Sequence, residues 1–257
     1  CTAIRLASSG HDVTVFERNG EAGGKLAVFE RDGFIFDIGP SLLTLPQVFD
    51  EVFQLAGTSI AEQLDLVRLD PQFRYFWRDG AHLVVHDDND ATASAFETIA
   101  GAGDAWRELN ERGREIWDVS ERTFFAGPMS NPADLMQRME SPADLLAIDA
   151  MRTLSDAGRK TFDDAHLQQW LGRYATYSGS SPRHVPATLQ CIAHVEAEYG
   201  CWYPMGGLGS LTAALVRVAE QVGVEIGQPA PRAVAQLHAR GAGVPVAGLW
   251  AYEAIRV

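Results

Sequence analysis

Ala3, Ile4, Leu6 and Ala7 put an apolar face on the opening turns of the chain, and Gly10 closes them. Val13-Thr14-Val15-Phe16 follows as a short β-branched and aromatic block that ends at Glu17. Helix, glycine, strand and acid in this order predict the second half of a βαβ unit. After a glycine-rich turn (Gly20, Gly23, Gly24), residues 26–30 and 34–36 read as strands around Asp32-Gly33, a tight hairpin signal. Gly39-Pro40 breaks the pattern. Residues 48–55 predict a helix with Val48, Val52 and Leu55 on one face.

Residues 64–69, 73–77 and 83–86 read as strands, with Asp79-Gly80 turning the last two. Between about 91 and 170, Phe96, Ile99, Trp106, Leu109, Ile116 and Trp117 recur at helical spacing, and Pro128, Pro132 and Pro142 divide the region into short helices. Residues 172–209 read as loop-rich, with Gly179-Ser180-Ser181-Pro182 and Gly206-Gly207. Ser210 is placed to cap a helix carrying Leu211, Leu215, Val218 and Val222, which Gly223 ends before Val224-Glu225-Ile226 begins another strand. Helix, glycine and strand thus occur twice. The first sheet is expected to resume after an inserted helical region, giving two discontinuous domains. No internal repeat or low-complexity stretch interrupts this pattern.

Composition narrows the function. The chain has 257 residues, 46% hydrophobic and 21% charged, enough for one large domain or two small ones. Its net charge of −13 repels phosphate backbones, so no nucleic-acid partner is expected, and a strongly anionic membrane surface is disfavoured. Cys1, Cys191 and Cys201 make an odd, sparse set that argues against a disulfide framework, fits a reducing cytoplasm and lacks zinc-knuckle spacing, so no metal site is expected. No apolar run reaches the ~18 residues of a membrane span. No pattern in the chain specifies an oligomeric state.

A carboxylate at the end of an early strand accepts hydrogen bonds from ribose hydroxyls in dinucleotide-binding folds, and Glu17 stands there. Position alone equally allows an exposed strand-end acid. The Gly-x-Gly-x-x-Gly loop that normally precedes such a helix would lie before Cys1. Around and beyond Glu17 the chain reads Glu17-Arg18-Asn19-Gly20-Glu21-Ala22-Gly23-Gly24-Lys25, and then Phe34-Ile35-Phe36-Asp37-Ile38-Gly39-Pro40-Ser41. Three further stretches run from Leu69-Asp70-Pro71 to Phe76-Trp77, from Gly172-Arg173-Tyr174 to Gly179-Ser180, and from Gly200-Cys201-Trp202 to Gly206-Gly207.

Together these segments resemble the phytoene desaturase (carotenoid desaturase) family of the amine oxidase-like flavoprotein superfamily. The resemblance implies an α/β fold: an FAD-binding Rossmann-like βαβ domain with an inserted mixed helical/β substrate domain, incomplete here. It assigns residues 1–70 and 200–257 to a partial FAD-binding domain and residues 71–199 to a substrate-binding domain. It gives cofactor-binding roles to Glu17, Arg18, Gly23, Gly24 and Lys25, and to Gly39, Pro40 and Ser41 beside the flavin ring. It implies FAD as cofactor, a hydrophobic polyene such as phytoene as substrate, desaturation of a carbon–carbon bond, and peripheral contact of a cytoplasmic protein with a membrane.

Phe73, Tyr75, Trp77, Tyr174, Tyr177, Trp202 and Tyr203 could line a tunnel for such a substrate, though taken one by one each is more often plain core. No Ser-His-Asp pattern and no paired carboxylates stand out, and no catalytic residue is assigned. Arg173, His194 and Glu196 lie in family-like segments, where a structural role is favoured for each. Residues 228–257 fit the family poorly and read as degraded, frame-shifted or misassembled. Two other readings stay open: an inactive, truncated fragment, and a related flavoprotein acting on a small polar substrate such as an amine.

Overall fold

A computed structural model of the chain describes residues 1–17, 19–125, 127, 132–141, 143–227 and 255–256. In chain order the first elements are α1 (Thr2–Ser8), β1 (Thr14–Phe16), β2 (Val28–Arg31), β3 (Phe34–Asp37), α2 (Pro46–Leu55), α3 (Ile60–Gln63), β4 (Leu66–Arg68), β5 (Phe73–Phe76) and β6 (His82–Val85). Six helices follow: α4 (Asn89–Ala100), α5 (Gly103–Ser120), α6 (Pro132–Arg138), α7 (Ala143–Ala147), α8 (Leu154–Thr161) and α9 (Ala165–Gly172). The last described elements are α10 (Cys191–Tyr199), β7 (Trp202–Pro204), α11 (Gly209–Gln221), β8 (Glu225–Gly227) and β9 (Ile255–Arg256). They divide into two units, Cys1–Arg68 with Trp202–Val257, and Leu69–Cys201.

In the first unit β1 pairs in parallel with β8, Val15 opposite Ile226, and antiparallel with β9, giving the order β8-β1-β9. Parallel neighbours so far apart in sequence are joined through a crossover, the α/β arrangement of a Rossmann-like sheet. Ile4 of α1, Phe53 of α2 and Leu211 and Val218 of α11 are fully buried with Val13 in the core of this unit. β2 and β3 form a separate antiparallel ribbon whose turn residues, Asp32 and Gly33, both have positive φ (53° and 81°). Two positive φ values in a two-residue loop match the right-handed twist of the flanking strands. Residues 228–254 and 257 lie outside the described residues, and with them most of the C-terminal segment read as misassembled.

Two sequence expectations change in this unit. The buried face of α2 is Val52 and Phe53, backed by half-buried Phe49, while Val48 and Leu55 are about half exposed. The larger phenylalanine side chains take the core side, and the helix is rotated accordingly. Nor does Ser210 cap α11: it sits inside the first turn, donating from Oγ to the Gly207 carbonyl at 2.7 Å. The cap comes from β3, whose Asp37 carboxylate accepts from the backbone N–H of Leu208 (3.0 Å) and Gly209 (3.2 Å).

In the second unit the β5–β6 hairpin alternates as a half-buried ribbon should. Phe73 and Tyr75 turn toward the core with Leu83 and Val85, while Arg74 and Phe76 face out. Trp170 of α9 anchors the aromatic centre, meeting Phe96 edge-on at 4.9 Å, Trp106 at 5.7 Å and Tyr174 at 5.6 Å. The segment expected to be loop-rich contains α10. Cys191, Ala193, His194, Val195, Glu196 and Ala197 are all buried, so no polar stripe alternates with an apolar one and the helical period does not show. α10 lies tightly along α5, where a Cβ on Gly113 would stand 2.8 Å from the His194 Cβ. No helix among the described residues is long and apolar enough to cross a membrane.

Candidate functional site

Most of the expected cofactor residues fall within the first unit on a short stretch of backbone. Glu17 leaves β1 half-buried, its N–H donating to the Gly227 carbonyl at 3.0 Å. One carboxylate oxygen, Oε1, accepts from the backbone N–H of Asn19 (2.7 Å) and from its side-chain amide (2.8 Å). Among the described residues Oε2 has no partner. The carboxylate is therefore oriented by its neighbour. Arg18 lies outside the described residues.

Gly23 and Gly24 turn the chain with φ of 148° and 54°, values that side-chain-bearing residues rarely adopt. The 3₁₀ turn Gly24–Leu26 follows, with the exposed Lys25 in it, and Lys25 forms no ion pair among the described residues. Directly against this turn runs the 38–41 segment: Ile38 N–H donates to the Ala27 carbonyl at 3.2 Å, and a Cβ on Gly39 would stand 1.8 Å from the Lys25 carbonyl oxygen. Ile38, Gly39, Pro40 and Ser41 are all exposed. The two glycine segments, read separately from sequence, thus form one ledge beside the strand end. Part of the glycine requirement is internal packing: Gly23 and Gly209 lie close against Thr212 and Val28. A cavity of about 710 Å³ between α2, α3 and β4 involves none of the expected cofactor residues.

In the second unit the structure joins two residues that the sequence left apart. Glu196, 2% exposed, accepts from Arg173 Nη2 (2.6 Å), Tyr174 (2.9 Å) and Tyr177 (3.0 Å). The Arg173 guanidinium also lies over the rings of Phe73 (4.3 Å) and Tyr174 (4.4 Å), a stacked cation. Burial opposes the Arg173 charge, but the acidic groups around it, Tyr174 and Glu196 foremost, outweigh that effect and raise its pKa. Burial pushes the Tyr75 hydroxyl up to about 12, and burial with the Glu196 charge raises Tyr174 and Tyr177 as well. All three phenols therefore stay protonated at neutral pH, and Tyr174 and Tyr177 donate to Glu196. His194 is not part of this group: it turns to Asn110 at 3.2 Å, and burial lowers its pKa.

The sequence offered one signal for this cluster, an acid and a base standing in otherwise apolar stretches. The aromatic residues considered for a tunnel are divided: Phe73, Tyr75, Trp77 and Tyr174 pack on the core of the second unit, and Trp202 packs on the core of the first.

The family model for flavin containing amine oxidoreductases matches residues 1–244. Carotenoid 3,4-desaturase of Haloarcula japonica is 33% identical over 223 residues, 86% of this chain and 45% of that protein. The 4,4'-diapolycopene oxygenase of a Methylomonas species is 30% identical over 225 residues, 87% of this chain and 45% of that protein. The 4,4'-diaponeurosporene oxygenase of Staphylococcus aureus is 31% identical over 226 residues, again 45% of its length. The chain thus spans about half the length of the curated relatives it matches. Among solved structures, a cofactor-binding redesign of putrescine oxidase superposes with a TM-score of 0.52 at 16% identity, covering 89% of this chain and 47% of that one. An oxidoreductase from Methanosarcina mazei gives 0.51 at 19% identity, covering 88% and 48%.

Proposed function

The chain belongs to the flavin-containing amine oxidoreductase family, whose cofactor is FAD, and from that premise we propose that it forms part of an oxidoreductase that desaturates a carotenoid precursor such as phytoene. The observation that carries the flavin half of this reading is the ledge beside β1. There one Glu17 carboxylate oxygen and the exposed Lys25 ammonium have no partner among the described residues, and residues 38–41 run along the Gly-Gly-Lys turn. These groups fit the cofactor chemically: a carboxylate for ribose hydroxyls, an ammonium for phosphate, and backbone without bulky cover where a planar ring must approach. On this reading the first unit binds the cofactor and the second the substrate.

Bound flavin supplies the acceptor for the hydrogen removed from the substrate. The protein's own contribution is placement and dryness. A polyene offers almost no polar handle, so an aromatic surface must position it by shape. In the second unit the Glu196 cluster stiffens such a surface. It holds Arg173, Tyr174 and Tyr177 in fixed places, with Tyr177 50% exposed. The substrate class itself rests on the names of the relatives. Two of those names are oxygenases, which favours oxygenation of a carotene as the second reading.

The test begins with flavin content. The chain, purified alone, is read by visible absorbance before and after denaturation, and near-stoichiometric FAD is expected. Glu17→Ala should lower FAD affinity about tenfold, the loss of roughly one charged hydrogen bond. A chain that takes up no FAD when it is supplied overturns the ledge as a sufficient site. Incubation with detergent-dissolved carotenes then separates the two reactions: loss of two hydrogens marks desaturation, and gain of oxygen marks oxygenation.

A further inference from the structure

The second unit holds a cavity of about 660 Å³ between the end of β5, helices α8 and α9, and Pro182-Arg183. Its walls carry three arginines, Arg159, Arg173 and Arg183, and no carboxylate. In a chain of net charge −13 that is a local reversal of sign. The acids that neutralise two of these arginines stand outside the lining: Asp156 pairs with Arg159, and Glu196 with Arg173. Arg183 forms no ion pair among the described residues. Three buried polar groups on lining residues, Arg173 Nε, Trp170 Nε1 and the Tyr75 hydroxyl, end without a hydrogen-bond partner, an uncommon state for buried groups.

Aromatic residues line the same cavity. Trp77 is pinned by donating from Nε1 to Gln169 Oε1 at 2.9 Å, and Phe76 beside it is 77% exposed. Guanidinium groups gathered around a concave surface concentrate positive potential there, and their planar donor forks match carboxylate and phosphate oxygens. Flat aromatic faces beside them suit an apolar body.

We propose that this cavity binds a small amphiphilic oxyanion: an aromatic or apolar body with one phosphate or carboxylate, its head toward the three arginines and its body on Phe76 and Trp77. The inference does not depend on the flavin reading, because every residue it uses lies within the second unit. The charge does not suit a neutral polyene in this cavity.

Titration calorimetry on the full chain with 1-naphthyl phosphate, 1-naphthol and inorganic phosphate tests it. Naphthyl phosphate should bind at least about tenfold more tightly than either of the others, and more weakly as salt screens the arginines. Arg183→Ala should lose about tenfold in affinity and Arg183→Lys less, since one charged hydrogen bond is removed or weakened. Phe76→Ala should weaken naphthyl phosphate and leave inorganic phosphate unchanged. Both positions are exposed, and a thermal melt of each variant establishes that it is folded. Equal binding of naphthol and naphthyl phosphate, or full affinity in Arg183→Ala, overturns the proposal, as does failure of naphthyl phosphate to bind.

Discussion

A Cβ at Gly39 would meet the Lys25 carbonyl oxygen at 1.8 Å, and that oxygen belongs to backbone, which cannot swing aside. Gly39→Ala should therefore force the ledge apart and lower stability by about 3 kcal/mol, the upper range of overpacking costs. Gly24 is a contrasting case: its φ is 54° but nothing lies within reach of an added Cβ. Gly24→Ala should cost only the left-handed strain, about 1 kcal/mol. Urea unfolding followed by circular dichroism ranks the two, and a smaller loss for Gly39→Ala would remove the packing argument. Both glycines are legible in the sequence as places of close approach. What Gly39 approaches is not legible, because the Lys25 carbonyl becomes its neighbour only through the hairpin between them. Glu196 poses the same problem at longer range: 23 residues separate it from Arg173. Glu196→Gln leaves the Arg173 cation without its buried counter-charge, so a loss of about 3–5 kcal/mol is expected. Replacing both, Arg173→Met with Glu196→Gln, should recover part of that loss. If the double variant is as unstable as the two single losses added together, the residues do not act as a pair.

Elements whose apolar residues repeat with a clear period can be read from the chain, and those without one cannot. α5 declares itself through Trp106, Leu109, Ile116 and Trp117, which the structure buries together on one side. α10 is buried almost all round, and its composition resembles that of a loop or a short buried strand. The cap of α11 is hidden for a different reason. Ser210 is the local candidate, but the N–H groups of Leu208 and Gly209 are taken by Asp37, 171 and 172 residues away in sequence. A carboxylate there also opposes the positive end of the helix dipole. Asp37→Ala should cost about 1–2 kcal/mol and Asp37→Asn less, because the amide oxygen still accepts. Amide hydrogen exchange at Leu208 and Gly209 reads the local effect. Unchanged protection in Asp37→Ala would return the capping role to Ser210.

At the scale of the whole molecule, the recurrence of helix, glycine and strand makes the parallel neighbours β1 and β8 readable from the chain. The Asp32-Gly33 turn signal between two strand-like runs likewise gives the β2–β3 ribbon. Burial is another matter: Phe34 is 66% exposed, Ile35 60%, Phe36 54% and Ile38 63%, so both faces of the ribbon meet water. A short two-stranded ribbon with free edges and apolar faces invites association. The net charge of −13 acts against it by mutual repulsion between copies. These two effects respond oppositely to salt. Added salt shortens the reach of the charge repulsion from about 10 Å at 0.1 M to about 3 Å at 1 M and leaves the apolar attraction in place. The 257-residue chain should therefore grow in hydrodynamic radius with salt, as read by dynamic light scattering. The double change Phe34→Thr with Ile35→Lys keeps the ribbon and its turn while removing two of its apolar side chains, and should flatten that dependence. Growth that persists unchanged in this variant would assign association to another surface, and a radius insensitive to salt in both proteins would mean that the ribbon is already covered in solution.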